Sequence, residues 1–208
     1  MKACIVSQVI RSPKNLDDLY RAPGKAELIN GSIVEFMPTG RTPNRVAFRI
    51  ARSLDDHAEQ TGKGEAYTDN MGFTVPILPS GRESFSPDAS YYAGPMPANP
   101  MRFVNGPPTF AAEVRIENDY GPSAEAEIPE KRADYFAPGT LVVRDVDPVA
   151  ECVHVYRFSD PSKPTTYRRG QVAEADPAVS GWRVSVDWIF SQVQPLALAV
   201  LPMQPTFR

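Results

Sequence analysis

The stretch FAAEVRI, residues 110–116, alternates like a β-strand until an acid and a base appear two residues apart in its second half. Successive side chains of a strand point to opposite faces. Phe110, Ala112, Val114 and Ile116 therefore line one side, and Ala111, Glu113 and Arg115 line the other. An apolar face backed by a charged one describes either a strand with a wet outer surface or one that carries reactive groups beside a core. The choice depends on the rest of the chain.

The 208 residues, 42% hydrophobic and 23% charged, are those of an ordinary globular protein and predict a single domain over 1–208. The 22 prolines are roughly twice the average usage of about 5%, which favours short elements and rigid loops over a helical bundle. Two cysteines, Cys4 and Cys152, without a charged start followed by a long apolar run, predict neither a disulfide framework nor a secretory signal, and so a cytoplasmic protein. The longest apolar tract, PLALAVLPM at 195–203, is short of the about 20 residues a bilayer demands, so no membrane partner is expected. A net charge of −3 argues against non-specific coating of nucleic acid but is compatible with a local basic groove. His57 and His154 lie in no metal-ligand spacing, which argues against a zinc enzyme.

Working outward, AELINGSIVEF (26–36) places Asn30-Gly31 between two strand-like runs and predicts a hairpin, because both residues tolerate positive φ. Residues 43–60 set Val46, Ile50 and Leu54 at helical spacing, with Pro43 near the start and Gly62 beyond the end. Residues 64–78 and 83–93 read as strands broken by Gly and Pro. PEKRADYFAPG (129–139) predicts a short helix with Pro129 in its first turn, and TLVVRDVD (140–147) and CVHVYRF (152–158) predict strands. TTYRRGQVAE (165–174) suggests a further hairpin and VSVDWIFSQV (184–193) a short helix, while QPTFR at the end gives no signal. The order predicts a mixed α/β fold, a central sheet flanked by helices with additional N-terminal and C-terminal hairpins.

Three charged positions are candidates for chemistry: Asp88 in SFSPDASYY (84–92), Glu113, and Lys131 in the helix that follows. Neighbouring strands lie about 4.8 Å apart, so carboxylates at matching register can share one small divalent cation. Mg2+ suits such a site, since it uses one or two carboxylates, waters and substrate oxygens. Taken singly, each residue has a plain structural reading. Asp88 caps a turn, Glu113 pairs with Arg115, Lys131 pairs with Glu127 for about 0.3–0.5 kcal/mol, and Tyr135 and Phe136 face the core. Arg41, Arg45, Arg49 and Arg52 follow spacings that put the last three on one helix face, either a solvated surface or a phosphate-contacting one.

The strings ELINGSIVEFMP (27–38), SPDAS (86–90), AAEVRIENDYGP (111–122) and EKRADYFAPGTLVVRDVDP (130–148) occur in an order that resembles the Uma-type endonuclease family, a branch of the PD-(D/E)xK restriction-endonuclease-like superfamily. The resemblance spans roughly residues 15–190. It implies a restriction-endonuclease-like core, a homodimer, and hydrolysis of phosphodiester bonds in nucleic acid, DNA foremost, with Mg2+ or Mn2+. It makes Asp88 the metal-binding aspartate, Glu113 the second carboxylate, Lys131 the family's helix lysine, and Glu27 a further acid. The chain departs from the family pattern after Glu113-Val114, where Arg115-Ile116-Glu117 replaces Leu-Ser-Pro, and at Pro138 and Arg144. Arg115 falls where the superfamily has its lysine, but a guanidinium cannot act as a general base. The expectation is therefore that Arg115 positions phosphate or braces Glu113, and that Lys131 is the catalytic cation. Two alternatives remain at this point: a catalytically inactive nuclease-fold module that binds nucleic acid or a protein, and a hydrolase of small phosphorylated substrates.

Overall fold

A computed structural model describes residues 13–191. Cys4, the tract at 195–203 and QPTFR lie outside the described residues. Helix α1 (Leu16–Leu19) starts at Asn15, whose side chain accepts the Asp18 N–H. Strands β1 (Ala26–Ile29) and β2 (Ser32–Glu35) form the expected antiparallel hairpin, with φ of 51° at Asn30 and 64° at Gly31. Helix α2 (Arg41–Thr61) closes on Gly62 at φ 63°, a left-handed cap. There follow β3 (Glu65–Thr68), β4 (Phe73–Thr74), β5 (Ser84–Phe85), β6 (Ala89–Tyr92), β7 (Val104–Asn105) and β8 (Phe110–Val114). Helix α3 (Pro122–Phe136) leads to β9 (Val142–Asp147), β10 (Cys152–Arg157), β11 (Asp160–Arg168), β12 (Val172–Glu174), β13 (Arg183–Ser185) and α4 (Val186–Phe190). Among the described residues no helix is long and apolar enough to cross a membrane.

The central sheet runs β11-β10-β9-β8-β6-β3 and is antiparallel except between β8 and β9. A parallel pair demands a crossover, and α3 supplies it. The alternation read in FAAEV governs the layering. Phe110, Ala112 and Val114 join Val46, Ile50 and Leu54 of α2 in one core. Ala111 turns to the other face, where a second core holds Val143, Tyr135 and Phe136 of α3, and Phe73, Phe85 and Val104 of the small sheet β5-β4-β7. Glu113 shares that second face and lies at its rim.

Two expectations change. Helix α3 begins at Pro122, about two turns before the sequence reading, because SAEAEI is rich in helix formers and Pro122 takes the first helical position. Pro129 is therefore inside the helix, where it forfeits the hydrogen bond its N–H would give. The run 165–174 does not fold on itself either. Its first part belongs to β11, paired with β10, and its last part is β12, paired with β13. The open edge of β10 draws the chain back immediately, before the turn at Gly170 can pair its own flanks.

Arg144, on β9, points into the α2 core and is fully buried. Its Nε and both Nη atoms find no hydrogen-bond partner among the described residues. The guanidinium instead lies 4.2 Å from the Trp182 ring centre and 5.3 Å from that of Phe110. Burial pushes its pKa down to about 9, so it enters the core charged at neutral pH. Ring faces return part of the desolvation cost, not all of it. Arg144→Met, similar in volume and apolar, should raise stability by about 1–4 kcal/mol at pH 7. The sign with pH follows: the penalty is complete below about pH 9 and fades above it, because the native state releases the proton first. Thermal melts of both proteins at pH 7 and pH 10 check this, with a narrower gap expected at pH 10.

Candidate active site

The strand registers bring together acids that lie far apart in sequence. Thr68 pairs with Ala89, Ala89 with Ala112, and Glu113 with Asp145. One step along the first two registers sets Asp69 against Asp88 and Asp88 against Glu113. Asp69, Asp88, Glu113 and Asp145 thus form a row across β3, β6, β8 and β9. Like charges on adjacent strands repel, and three cations neutralise the row. Lys25 Nζ lies 2.6 Å from Asp69 and 2.9 Å from Asp88. Lys131 Nζ lies 2.9 Å from Glu113 Oε2. Arg115 grips Asp145 with two bonds, of 2.8 and 2.7 Å.

The middle of the row opens into a pocket of about 330 Å³, bordered by Lys25, Phe36, Asp88, Glu113, Lys131 and Tyr135 among others. Each carboxylate is fixed at both oxygens. Asp88 Oδ2 accepts the Val114 N–H at 2.9 Å while Oδ1 accepts from Lys25. Glu113 Oε1 accepts the Tyr135 hydroxyl while Oε2 faces Lys131. Lys131 and Tyr135 are four residues apart on α3, hence on one helix face, and hold the two oxygens of the same carboxylate. Lys131 pairs with Glu113 rather than with Glu127, whose carboxylate accepts from Ser123. The Phe36 ring centre lies 5.8 Å from the Nζ of both lysines.

Burial pushes the Glu113 carboxyl up, Lys131 pulls it back, and Asp88 adds to the upward shift. Burial alone would lower the Lys131 pKa, but Glu113, Glu27 and Asp88 hold it above the usual lysine range. The same balance, with Asp88 and Glu113 prevailing over burial, keeps Lys25 charged. Both lysines are ammonium ions at any working pH.

Glu27 lies behind the pocket wall. It is fully buried in β1, pairs with Arg82, and accepts the Ser86 N–H at 3.0 Å. Arg82 in turn binds Asp134 of α3 at 3.0 Å. Arg115 does line the pocket, yet its guanidinium is engaged by Asp145 and by Glu125 at 2.5 Å, so it braces those acids and not Glu113. The Asp145 bond and the Glu125 bond, against burial, hold its pKa above the usual arginine range. On α2, Arg45 and Arg52 sit on the outer side, Arg45 against the half-exposed Phe48 ring at 5.4 Å. Arg49 departs from the predicted stripe. It is buried, bonded to the Trp188 carbonyl and the Ser191 hydroxyl, with its guanidinium 5.0 Å from the Trp188 ring.

Sequence reasoning missed Lys25 and Asp69. Lys25 was within reach, since it precedes Glu27 by two and shares its side of the extended chain. Asp69 acquires its place only through a strand register. The donors present fit a small oxygen-seeking cation: two carboxylates, Asp88 and Glu113, at one pocket. Among the described residues no three His, Cys, Asp or Glu side chains gather closely enough to cage an ion. The fitting mode is thus the one with two carboxylates and the remaining positions left to water and substrate oxygens.

Comparison with known proteins agrees with this architecture. A crystal structure from Anabaena variabilis, described as "a putative nuclease belonging to DUF820", matches with a TM-score of 0.67 at 18% identity, covering 86% of this chain and 98% of that one. At that identity the likeness establishes the fold. No curated protein matches the sequence. The model of the Uma2 family, described as "Putative restriction endonuclease", matches residues 14–187, a span that includes Lys25, Asp88, Glu113 and Lys131. The chain belongs to the Uma2 family and carries its nuclease-like α/β fold.

Proposed function

We propose that the protein is a Mg2+- or Mn2+-dependent endonuclease that hydrolyses phosphodiester bonds in DNA. The observation that carries this reading is the meeting of Asp88, Glu113 and Lys131 at one pocket, although they come from a loop, a strand and a helix. Asp88 and Glu113 would hold the cation, which when bound supplies an acidified water and a sink for negative charge. Lys131, with its pKa raised, is unsuited to take a proton. Its side chain is 28% exposed at the pocket, and its ammonium is suited to stabilise charge building on the phosphoryl oxygens. Tyr135 holds Glu113 in place through its hydroxyl. Arg115 anchors β8 to β9 and α3 through Asp145 and Glu125 and leaves the cationic role to Lys131. Arg45 and Arg52 are the α2 side chains suited to the DNA backbone.

Oligonucleotide cleavage tests the reading. Wild type should cut DNA with Mg2+ or Mn2+, and Asp88→Asn or Glu113→Gln should abolish cutting and weaken Mn2+ binding in calorimetry. No cutting of single- or double-stranded DNA with either ion would overturn the proposal in favour of a binding module. Lys131→Ala should slow cleavage about a hundredfold or more at saturating Mn2+, the usual loss for one positioned electrostatic donor. For DNA affinity, Arg45→Ala with Arg52→Ala should flatten the slope of log K against log salt by about 0.9 per lost phosphate contact. Arg49→Ala should instead lower the melting temperature and leave the slope unchanged.

A further inference from the structure

The row of acids is met by a lysine that the proposed chemistry does not use. Lys25 Nζ bridges Asp69 at 2.6 Å and Asp88 at 2.9 Å, with its side chain only 15% exposed. It is one residue ahead of β1, whose hairpin is fastened to the segment before Asp88, so the root of the side chain is fixed. The ammonium itself is on a four-carbon stem and can shift between partners. Its two acids differ in position. Asp88 faces the pocket at 13% side-chain exposure, next to Glu113, whereas Asp69 lies beyond the end of β3 at 35%. Lys131 differs from Lys25 in having one carboxylate within salt-bridge reach, Glu113. Of the two lysines, Lys25 is therefore the one that, among the described residues, has a second anchor away from the pocket centre.

We propose that Lys25 is a positioning residue that shares Asp88 with an incoming divalent cation and shifts onto Asp69 when that cation binds. The inference rests on the reading of Asp88 and Glu113 as metal ligands. In the metal-free protein Lys25 neutralises the row and lets two buried strands carry facing carboxylates. A divalent ion at Asp88 repels an ammonium on the same carboxylate by several times the thermal energy, even at the effective dielectric of a protein surface. Asp69 supplies the place to which that ammonium moves without entering bulk water. The arrangement lowers metal affinity below what two carboxylates alone give, and keeps Lys25 beside the pocket once the ion is in place.

Calorimetry with Mn2+ on wild type, Lys25→Met, Asp69→Asn and the double variant tests this without any cleavage assay. Removing the competitor should tighten Mn2+ binding about tenfold. Removing its second anchor should weaken binding severalfold, and that weakening should vanish in the Lys25→Met background, because Asp69 acts through Lys25. Melting curves give a second readout: Lys25→Met lowers the melting temperature in EDTA, and saturating Mn2+ closes the gap. If the Met variant does not fold, Lys25→Gln, which retains a donor for Asp69, takes its place. Equal Mn2+ affinity in wild type and Lys25→Met overturns the inference, as does an Asp69→Asn effect of the same size in both backgrounds. If no variant binds Mn2+, the metal reading fails and this inference with it. Mn2+ binding that ignores Lys25 removes the inference alone.

Discussion

The interaction on which the site depends is the buried pairing of Glu27 with Arg82. Glu27 is wholly withdrawn from solvent, and a carboxylate in that position survives only with a partner and hydrogen bonds for its remaining lone pairs. Arg82 provides the first and the Ser86 N–H the second. Arg82 then reaches Asp134 on α3, so one guanidinium fastens three segments: the hairpin behind Lys25, the loop leading to Asp88, and the helix carrying Lys131. Burial would lower the Arg82 pKa, and Glu27 and Asp134 raise it instead, so the guanidinium stays charged. Removing one partner of such a pair leaves an uncompensated charge in the core and costs about 3–5 kcal/mol. Glu27 therefore serves the site from behind, by fixing where Ser86, and two residues later Asp88, can be.

That fastening makes an otherwise unfavourable sheet possible. Four acids in register across neighbouring strands would push the strands apart, yet the same strands supply the two cores. Each acid meets a cation of the type its place suits. At Asp145, 5% exposed, the planar fork of Arg115 makes a two-bond clamp. At Asp88 and Glu113 the partners are ammonium groups, compact point charges on flexible stems that make no planar two-bond clamp. The departure at Arg115 from the superfamily's lysine thus has a structural consequence. A guanidinium there is consumed by Asp145 and Glu125, and the cation beside Glu113 comes from α3.

Much of the fold was legible because it rests on local rules. The alternation of FAAEV, the Asn-Gly turn, and the apolar spacing in α2 each specify an element within ten residues or fewer, and each element is where those rules put it. Asp88, Glu113 and Lys131 were legible through family order, and the structure brings them to one pocket. The losses share a cause: they depend on contacts between segments. Arg49 looks like Arg45 and Arg52 in sequence, but the carbonyl end of α4 offers it acceptors, which outweigh solvent for that one arginine. Asp69 gains meaning only from the pairing of β3 with β6. The start of α3 was misread because Pro129 was taken as a boundary, when the Ala and Glu residues before it already favour helix and tertiary packing of Tyr135 and Phe136 repays the lost bond.

In the proposed function, α2 is the element that would extend the site from a single phosphate to a polymer. Thr39 lines the pocket, and α2 begins two residues later at Arg41. At about 1.5 Å per residue, Arg45 is about 6 Å along the helix from Arg41 and Arg52 about 16 Å. These outer arginines lie on the solvent side of α2, whose inner side packs on the sheet face opposite Glu113, so a DNA strand bound as proposed would meet them only beyond the edge of the pocket. A chain whose net charge is −3 attracts no polyanion as a whole. Its positive side chains act by position, two ammonium groups at the pocket and arginines along the helix that starts beside it. A small phosphorylated substrate would need the first set alone, whereas the proposed DNA substrate would also use the arginines of α2.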